Sequence, residues 1–213
     1  MPRNGITTNT PANIPFGAGV YFAGVAYSEA AVPTPEQIRA GIIGATQDGG
    51  TLTITPEFFA PELDGATVAV KELQQKIGET AQMDVTFAEL TPKLVEKMVI
   101  GQSKIVAASN KDNPNMNASF TAITSSKLVA GHFYDGFGYY GKYIDGRPLI
   151  IMFKQALCTS GMSTDAKNKT NSVFKGTFVC HSDIEYGVDK LPYVIFICTE
   201  GTWELTDANA LSA

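Results

Sequence analysis

Two short segments constrain this chain more than anything else in it, because each alternates apolar with small polar residues at a period of two. In Thr51-Leu52-Thr53-Ile54-Thr55 the leucine and isoleucine share one face and the three threonines share the other. Residues 80–88 repeat the pattern, with Ala81, Met83, Val85 and Phe87 opposite Gln82, Asp84 and Thr86. That period belongs to a strand with one face on a core and one face left to water or to a neighbour. The pattern predicts two half-buried strands whose outer face is mostly hydroxyl and amide, a surface that lies against something without gripping it.

Composition narrows the class. At 213 residues the chain can bury a substantial core as one large β domain. Charged residues are 17%, below the roughly 25% of soluble globular chains, while hydrophobic residues at 44% are ordinary. Thr, Asn, Ser and Gly fill the deficit, as suits a protein that covers much of itself in an assembly, although a secreted β-sandwich shares this composition. The net charge is −5, and residues 1–64 hold Glu29, Glu36, Asp48, Glu57, Glu62 and Asp64 against Arg3 and Arg39. No basic patch for phosphates is present there.

Catalytic and metal chemistry find little to stand on. Cys158, Cys180 and Cys198 are widely spaced beside apolar segments and read as free core thiols. A zinc site would need Cys180, His181 and two distant ligands, with no C-x-x-C to supply them. There is no G-x-S-x-G, H-E-x-x-H or Walker A loop, and the glycines of residues 131–141 lack the order of a dinucleotide site. Asp183 and Glu185 could share a face for acid/base work, but beside His181-Ser182 they read as solvated turn charges. No cofactor is expected. Residues 1–17 have no apolar signal core, and the uncharged residues 4–28 carry repeated Asn, Thr, Pro and Gly, so neither a signal peptide nor a membrane span is expected. The sequons at Asn117 and Asn168 read as chance matches.

Along the chain, residues 1–15 read as an extended arm interrupted by Pro2, Pro11 and Pro15. Residues 17–27 read as a glycine-bearing strand, and 35–42 as a short amphipathic segment. Strand 51–55 should lead into a loop over 57–65 with Phe58 and Phe59 between acids. Residues 68–77 are expected to be a strand, with Gly78-Glu79 as a tight turn into the next one. Thr91-Pro92 opens the clearest helix: threonine as N-cap, proline at the first helical position, a stripe of Leu94, Val95, Met98 and Val99, and Gly101 at the end. Lys93, Glu96 and Lys97 should face outward. Residues 101–117 read as a loop, with strand-like runs at 119–124 and 127–133.

The Gly/Tyr-rich residues 131–143 read either as a loop whose tyrosines pack at a contact or as an aromatic platform of Tyr139, Tyr140 and Tyr143 for sugar or nucleic acid. Strands are expected at 147–158, 172–181 and 191–198, with the apolar runs PLIIMFKQAL and PYVIFIC covered on both faces. Residues 159–171 form a polar connection between the first two.

The segments GATQDGGTLTI (44–54), ELDGATVAVK (62–71) and AELTP (88–92) together resemble the major tail tube proteins of long-tailed, siphovirus-type bacteriophages. The late runs LIIMFKQAL, FKGTFVCHSD and LPYVIFIC extend the resemblance, which covers roughly residues 43–198. The arm and residues 131–143 depart from it. The resemblance implies a mainly β fold, a β-sandwich with one packed α-helix, whose strands join those of neighbours into a ring-shaped barrel. It implies an extended arm at 1–15, a single domain at 16–200 and a tail at 201–213. It also implies a structural, non-enzymatic virion protein, made in the bacterial cytoplasm, whose stacked hexameric rings form the tube that passes DNA. The partners it implies are further copies of the chain, a tape measure protein inside the tube, and tail terminator or distal tail proteins, with double-stranded DNA only in transit and no membrane.

On that reading Thr51, Thr53, Thr55, Gln82, Asp84 and Thr86 line the lumen, where neutral or acidic groups let DNA slide. Residues 57–70, with Phe58, Phe59, Glu62, Leu63 and Asp64, form the loop that reaches the next ring. Trp203, the only tryptophan, anchors the tail. The alternative is a carbohydrate- or receptor-binding β-sandwich of the virion built on Tyr139, Tyr140 and Tyr143.

Overall fold

Both alternating segments of the sequence fall in strands. The computed structural model describes Thr10, residues 13–61, Asp64, Val68, and residues 70–110, 113–165, 171–201 and 203–205. It is mainly β, with antiparallel pairing throughout and few helices. The strands are β1 (Pro15–Phe22), β2 (Thr46–Phe59), β3 (Gln75–Phe87), β4 (Gly101–Asn110), β5 (Asn113–Ser125), β6 (Tyr134–Tyr143), β7 (Pro148–Cys158), β8 (Ser163–Asp165), β9 (Val173–His181) and β10 (Tyr193–Ile197). The helices are α1 (Pro35–Ala40) and α2 (Pro92–Met98).

The main sheet runs β1-β6-β7-β9-β3-β2, with β10 added to β7 and β8 to β9. Strand β7 is the fork: its residues 149–153 pair with β10, and its residues 155–158 pair with β9. Tyr21 of β1 shares one core with Met83 and Val85 of β3, although these strands lie near opposite ends of the sheet order. The sheet must therefore curl, and the chain between α1 and β2 seals the approach: Ala23 N–H donates to Gly41 O at 2.8 Å and Ile43 N–H to Tyr21 O at 3.1 Å. Phe87, Phe137, Phe153 and Phe178 fill the concave side and are fully buried, each worth about 1.5–3 kcal/mol of transfer free energy.

A second cluster covers the other face of one half of the sheet. Phe22, Ile38 of α1, Tyr140, Ile150 and Met152 are buried there, with Trp203 and Leu205 packed against them. Helix α1 holds its place through a capping box, in which Thr34 Oγ1 accepts from Gln37 N–H and Gln37 Oε1 accepts from Thr34 N–H. Helix α2 closes the concave side with Leu94 and Met98, and Thr91 Oγ1 accepts from Leu94 N–H as expected of an N-cap.

Several expectations are corrected. Residues 101–117 are no loop: β4 and β5 form a separate two-stranded sheet, because every polar residue there can still contribute a backbone ladder. Helix α2 ends at Met98, before Val99 and Gly101. Gly78-Glu79 makes no turn and lies within β3, paired with Glu57 and Pro56; the hairpin connection is farther on, past Phe59. Residues 71–73 form a 3-10 turn and the strand begins at Gln75. Residues 127–133 are irregular and end in a 3-10 turn over 130–132.

The Gly/Tyr-rich segment is β6, an interior strand between β1 and β7. Its glycines are needed for close approach: at Gly136, with φ of 55°, a Cβ would collide with Val25 O. Coverage on both faces holds for β7, but in β10 Ile195 and Ile197 are 40% and 55% exposed. Lys97 does not face outward; its amine turns back to donate to Gly131 O and Phe133 O and sits over the Tyr134 ring.

Candidate functional site

The uncovered half of the sheet is where the two alternating segments meet. Thr51 pairs with Asp84 and Thr53 with Gln82, so the threonines of β2 and the polar residues of β3 lie side by side on one face. Strand β9 extends that face, since Gln82 pairs with Val179, Asp84 with Thr177 and Thr86 with Lys175. The threonines of β2 are exposed, and Gln82, Asp84 and Thr86 are half-buried. Thr177 Oγ1 donates to one oxygen of Asp84, and Gln82 Nε2 lies 3.5 Å from the other. The carboxylate is thus held flat in a hydroxyl and amide surface and does not project as a free charge.

Lys175 was missed by the sequence reading. It is exposed on this face opposite Thr86, so the face is not purely neutral and acidic. The signal was present: in Phe174-Lys175-Gly176-Thr177-Phe178-Val179 the residues that share Thr177's parity include Lys175. Beside it a pocket of about 380 Å³ is lined by Asp48, Asp84, Ser160, Ser163, Lys175 and Thr177 among others.

The far end of the β2 and β3 pair carries the aromatic residues. Phe58 and Phe59 belong to β2 and not to a loop, pairing with Lys76 and Gln75. They are 56% and 52% exposed, so they do not cap their own core, and Ile77, next to their partners on β3, is also exposed. Asp64 is exposed, and Glu62 and Leu63 lie outside the described residues. An apolar, two-aromatic tip standing in solvent is the usual chemistry of a contact surface.

No protein-family model matches the chain, and no curated protein matches it.

Trp203 is placed against its own chain. Its ring lies 5.4 Å from that of Tyr140, which anchors residues 203–205 on the outer cluster. Trp203 thus packs within its own subunit; most of residues 1–15 and 201–213 lies outside the described residues.

The aromatic platform does not form as one surface. Tyr140 is buried under Trp203, Tyr139 packs against Tyr21 at 5.2 Å, and Tyr143 lies beside Arg147. Asp183 and Glu185 are turn residues, as read; Lys154, 2.8 Å from Asp183, is the first cause holding its carboxyl below the usual range. Cys158 and Cys180 are buried free thiols and Cys198 is half-buried. Among the described residues no cluster of three His, Cys, Asp or Glu side chains could hold a metal. No helix of the described residues is long and apolar enough to cross a membrane.

Proposed function

We propose that this chain is the structural subunit of a phage tail tube, a β-sandwich that closes with its neighbours into hexameric rings which stack into a hollow conduit. The observation that carries this reading is the face of Thr51, Thr53, Thr55, Gln82, Asp84 and Thr86: six residues on two paired strands, uncovered by their own chain, with one carboxylate tied into hydrogen bonds. A wall of that kind suits a polyanion in transit, because each cation offered to phosphate adds binding that must be broken again. Lys175, opposite Thr86, is then a place on this face where DNA is briefly held. The apolar tip at Phe58 and Phe59 supplies the contact to the next ring. In this role the tape measure protein occupies the lumen before DNA does, and terminator and distal tail proteins close the ends.

Negative-stain electron microscopy of the purified protein tests the proposal. Rings or tubes of uniform bore are expected. Discrete monomers or trimers that bind glycan would reverse it in favour of a receptor-binding module.

A further inference from the structure

Between β9 and β10 the chain makes an excursion whose ends stay together. His181 pairs with Gln155 of β7, and after residues 182–191 the carbonyl of Pro192 accepts from the neighbouring Lys154 N–H at 2.8 Å. A compact loop anchored at adjacent points of one strand can move without breaking a ladder. Its aliphatic residues Ile184 and Val188 do not hold it down, being 90% and 82% exposed. Polar fasteners hold it instead. Within the loop Ser182 Oγ donates to Gly187 O at 2.6 Å, and Asp183 Oδ1 accepts from Tyr186 N–H at 2.6 Å. From β7, Lys154 Nζ lies 2.8 Å from Asp183 and 4.7 Å from the centre of the Tyr186 ring.

A further fastener is Glu29, in the segment between β1 and α1. Lys190 Nζ lies 2.8 Å from both of its carboxylate oxygens, the Tyr186 hydroxyl donates to it, and the Tyr27 hydroxyl lies 3.3 Å away. Tyr27 and Tyr186 also meet edge to face, with ring centres 6.2 Å apart. Behind the loop a cleft of about 360 Å³ separates it from the start of β3, and Ile77, Glu79, Ser182, Val188, Lys190 and Leu191 are among its walls. The cleft leads toward Cys180. That thiol is 4% exposed, donates to Pro192 O at 3.7 Å, sits in the core cluster on which Leu191 packs, and feels the charge of Glu79.

We infer that residues 182–191 form a strap, fastened at Glu29 and Asp183, that swings off the cleft when those carboxylates are protonated and so uncovers Cys180. A segment held by polar contacts alone, over a cleft that leaves it room, belongs to the low-stability end of a structure. Lys190 first and the Tyr186 hydroxyl second hold the Glu29 carboxyl below the usual range, and Lys154 does the same for Asp183. A carboxyl held low in the closed form gives fastening that is complete above the ordinary carboxylate range and is lost as pH falls from that range toward the lowered value. The other charged groups near the strap are Lys76 and Glu79 across the cleft, 2.8 Å from one another, with Glu185 and Asp189 exposed on the strap itself. His181, just before the strap, sets its ring against Phe133. The inference is independent of the tube reading.

Thiol labelling of the full chain in a Cys198→Ser background tests it. Cys158 is the internal reference, since it is buried and its thiol contacts Ser160 and Gly161 rather than the strap. At pH 7, Glu29→Ala is expected to raise the labelling rate of Cys180 relative to Cys158 by about five- to ten-fold, the effect of losing an ion pair joined to a tyrosine bond. The exchanged pair, Glu29→Lys with Lys190→Glu, is expected to bring the ratio back down. A Cys180 rate that stays level in Glu29→Ala overturns the strap. So does a rate that rises only in step with Cys158, because that is unfolding of the whole subunit, and a ratio left high by the exchanged pair overturns the fastening. Should Glu29→Ala not fold, the Cys198→Ser protein decides: with a pyridyl disulfide reagent, which reacts in acid, the ratio of Cys180 to Cys158 labelling must rise between pH 7 and pH 3, and a level ratio overturns the strap.

Discussion

His132 lies with its Nε2 2.9 Å from the carbonyl oxygen of Gly101, and this contact fixes the first residue of β4 to the turn that precedes β6. Nδ1 accepts from Val129 N–H at 3.1 Å, which leaves Nε2 to donate to Gly101 O. Ser126, just past β5, adds a bond to Ile100 O and a contact to the same ring. The buried histidine is therefore the clasp at the root of the hairpin. His132→Ala leaves a buried carbonyl and an amide without their partner, at a cost of about 1–3 kcal/mol. The expected result is a lower urea midpoint together with faster amide exchange in β4 and β5; unchanged hairpin exchange would contradict the role.

The sequence announced some of these relationships and hid others for physical reasons. Thr51 to Thr55 and Thr80 to Ala88 were legible because one face of each is buried, and burial is what imposes alternation. Thr91-Pro92 was legible because capping chemistry is local. The hairpin was not, since the described side chains of β4 and β5 are mostly exposed and the strands are held by backbone pairing that any polar residue can make. Strand β6 was hidden by its glycines, which look like a loop but serve close packing, as Gly136 against Val25 shows. The place of His132 was not legible at all, because its backbone partners, Val129 N–H and Gly101 O, carry no sequence signal.

Alkali should unfold the subunit through its buried acids. Burial pushes the Cys180 thiol up to about 12 from an ordinary value of 9.0, with Glu79 adding a smaller push, and burial likewise raises the Tyr21 hydroxyl to about 12 from 10.0. Both groups ionise more easily in the unfolded chain. Stability is therefore fully present below about pH 9 and is lost as pH rises toward 12, by at most about 1.4 kcal/mol per pH unit for each group. Urea midpoints measured from pH 8 to 11 should fall, and Cys180→Ala should flatten the early part of that fall. A midpoint that is level to pH 11 would refute it.

Gly138 sits where the sheet and the outer cluster press together. A Cβ there would lie 2.5 Å from Ile151 O and 2.5 Å from the Phe22 ring. A backbone oxygen on one side and a fully buried ring on the other leave nothing to give way, so Gly138→Ala is expected to cost about 1–3 kcal/mol. Gly44→Ala is the control, because its added methyl would meet nothing nearer than 3.6 Å. Thermal melts of the two variants should separate clearly, and equal melting temperatures would mean that β1 and β7 yield more readily than this packing implies.

Phe58 and Phe59 separate folding from assembly. Both are more than half exposed and neither belongs to a core cluster, so replacing them should change subunit stability by no more than about 0.5 kcal/mol. Their removal strips the tip of the β2 and β3 pair of its two aromatic rings while leaving the ladder partners Lys76 and Gln75 in place. If the tip reaches the next ring, Phe58→Ser with Phe59→Ser should give a normally folded subunit that forms at most single rings. The decisive measurement pairs circular dichroism with electron microscopy of the same sample. Tubes of ordinary length from this variant would remove the tip from the stacking contact, whereas unfolded protein would show that the rings support their own chain after all.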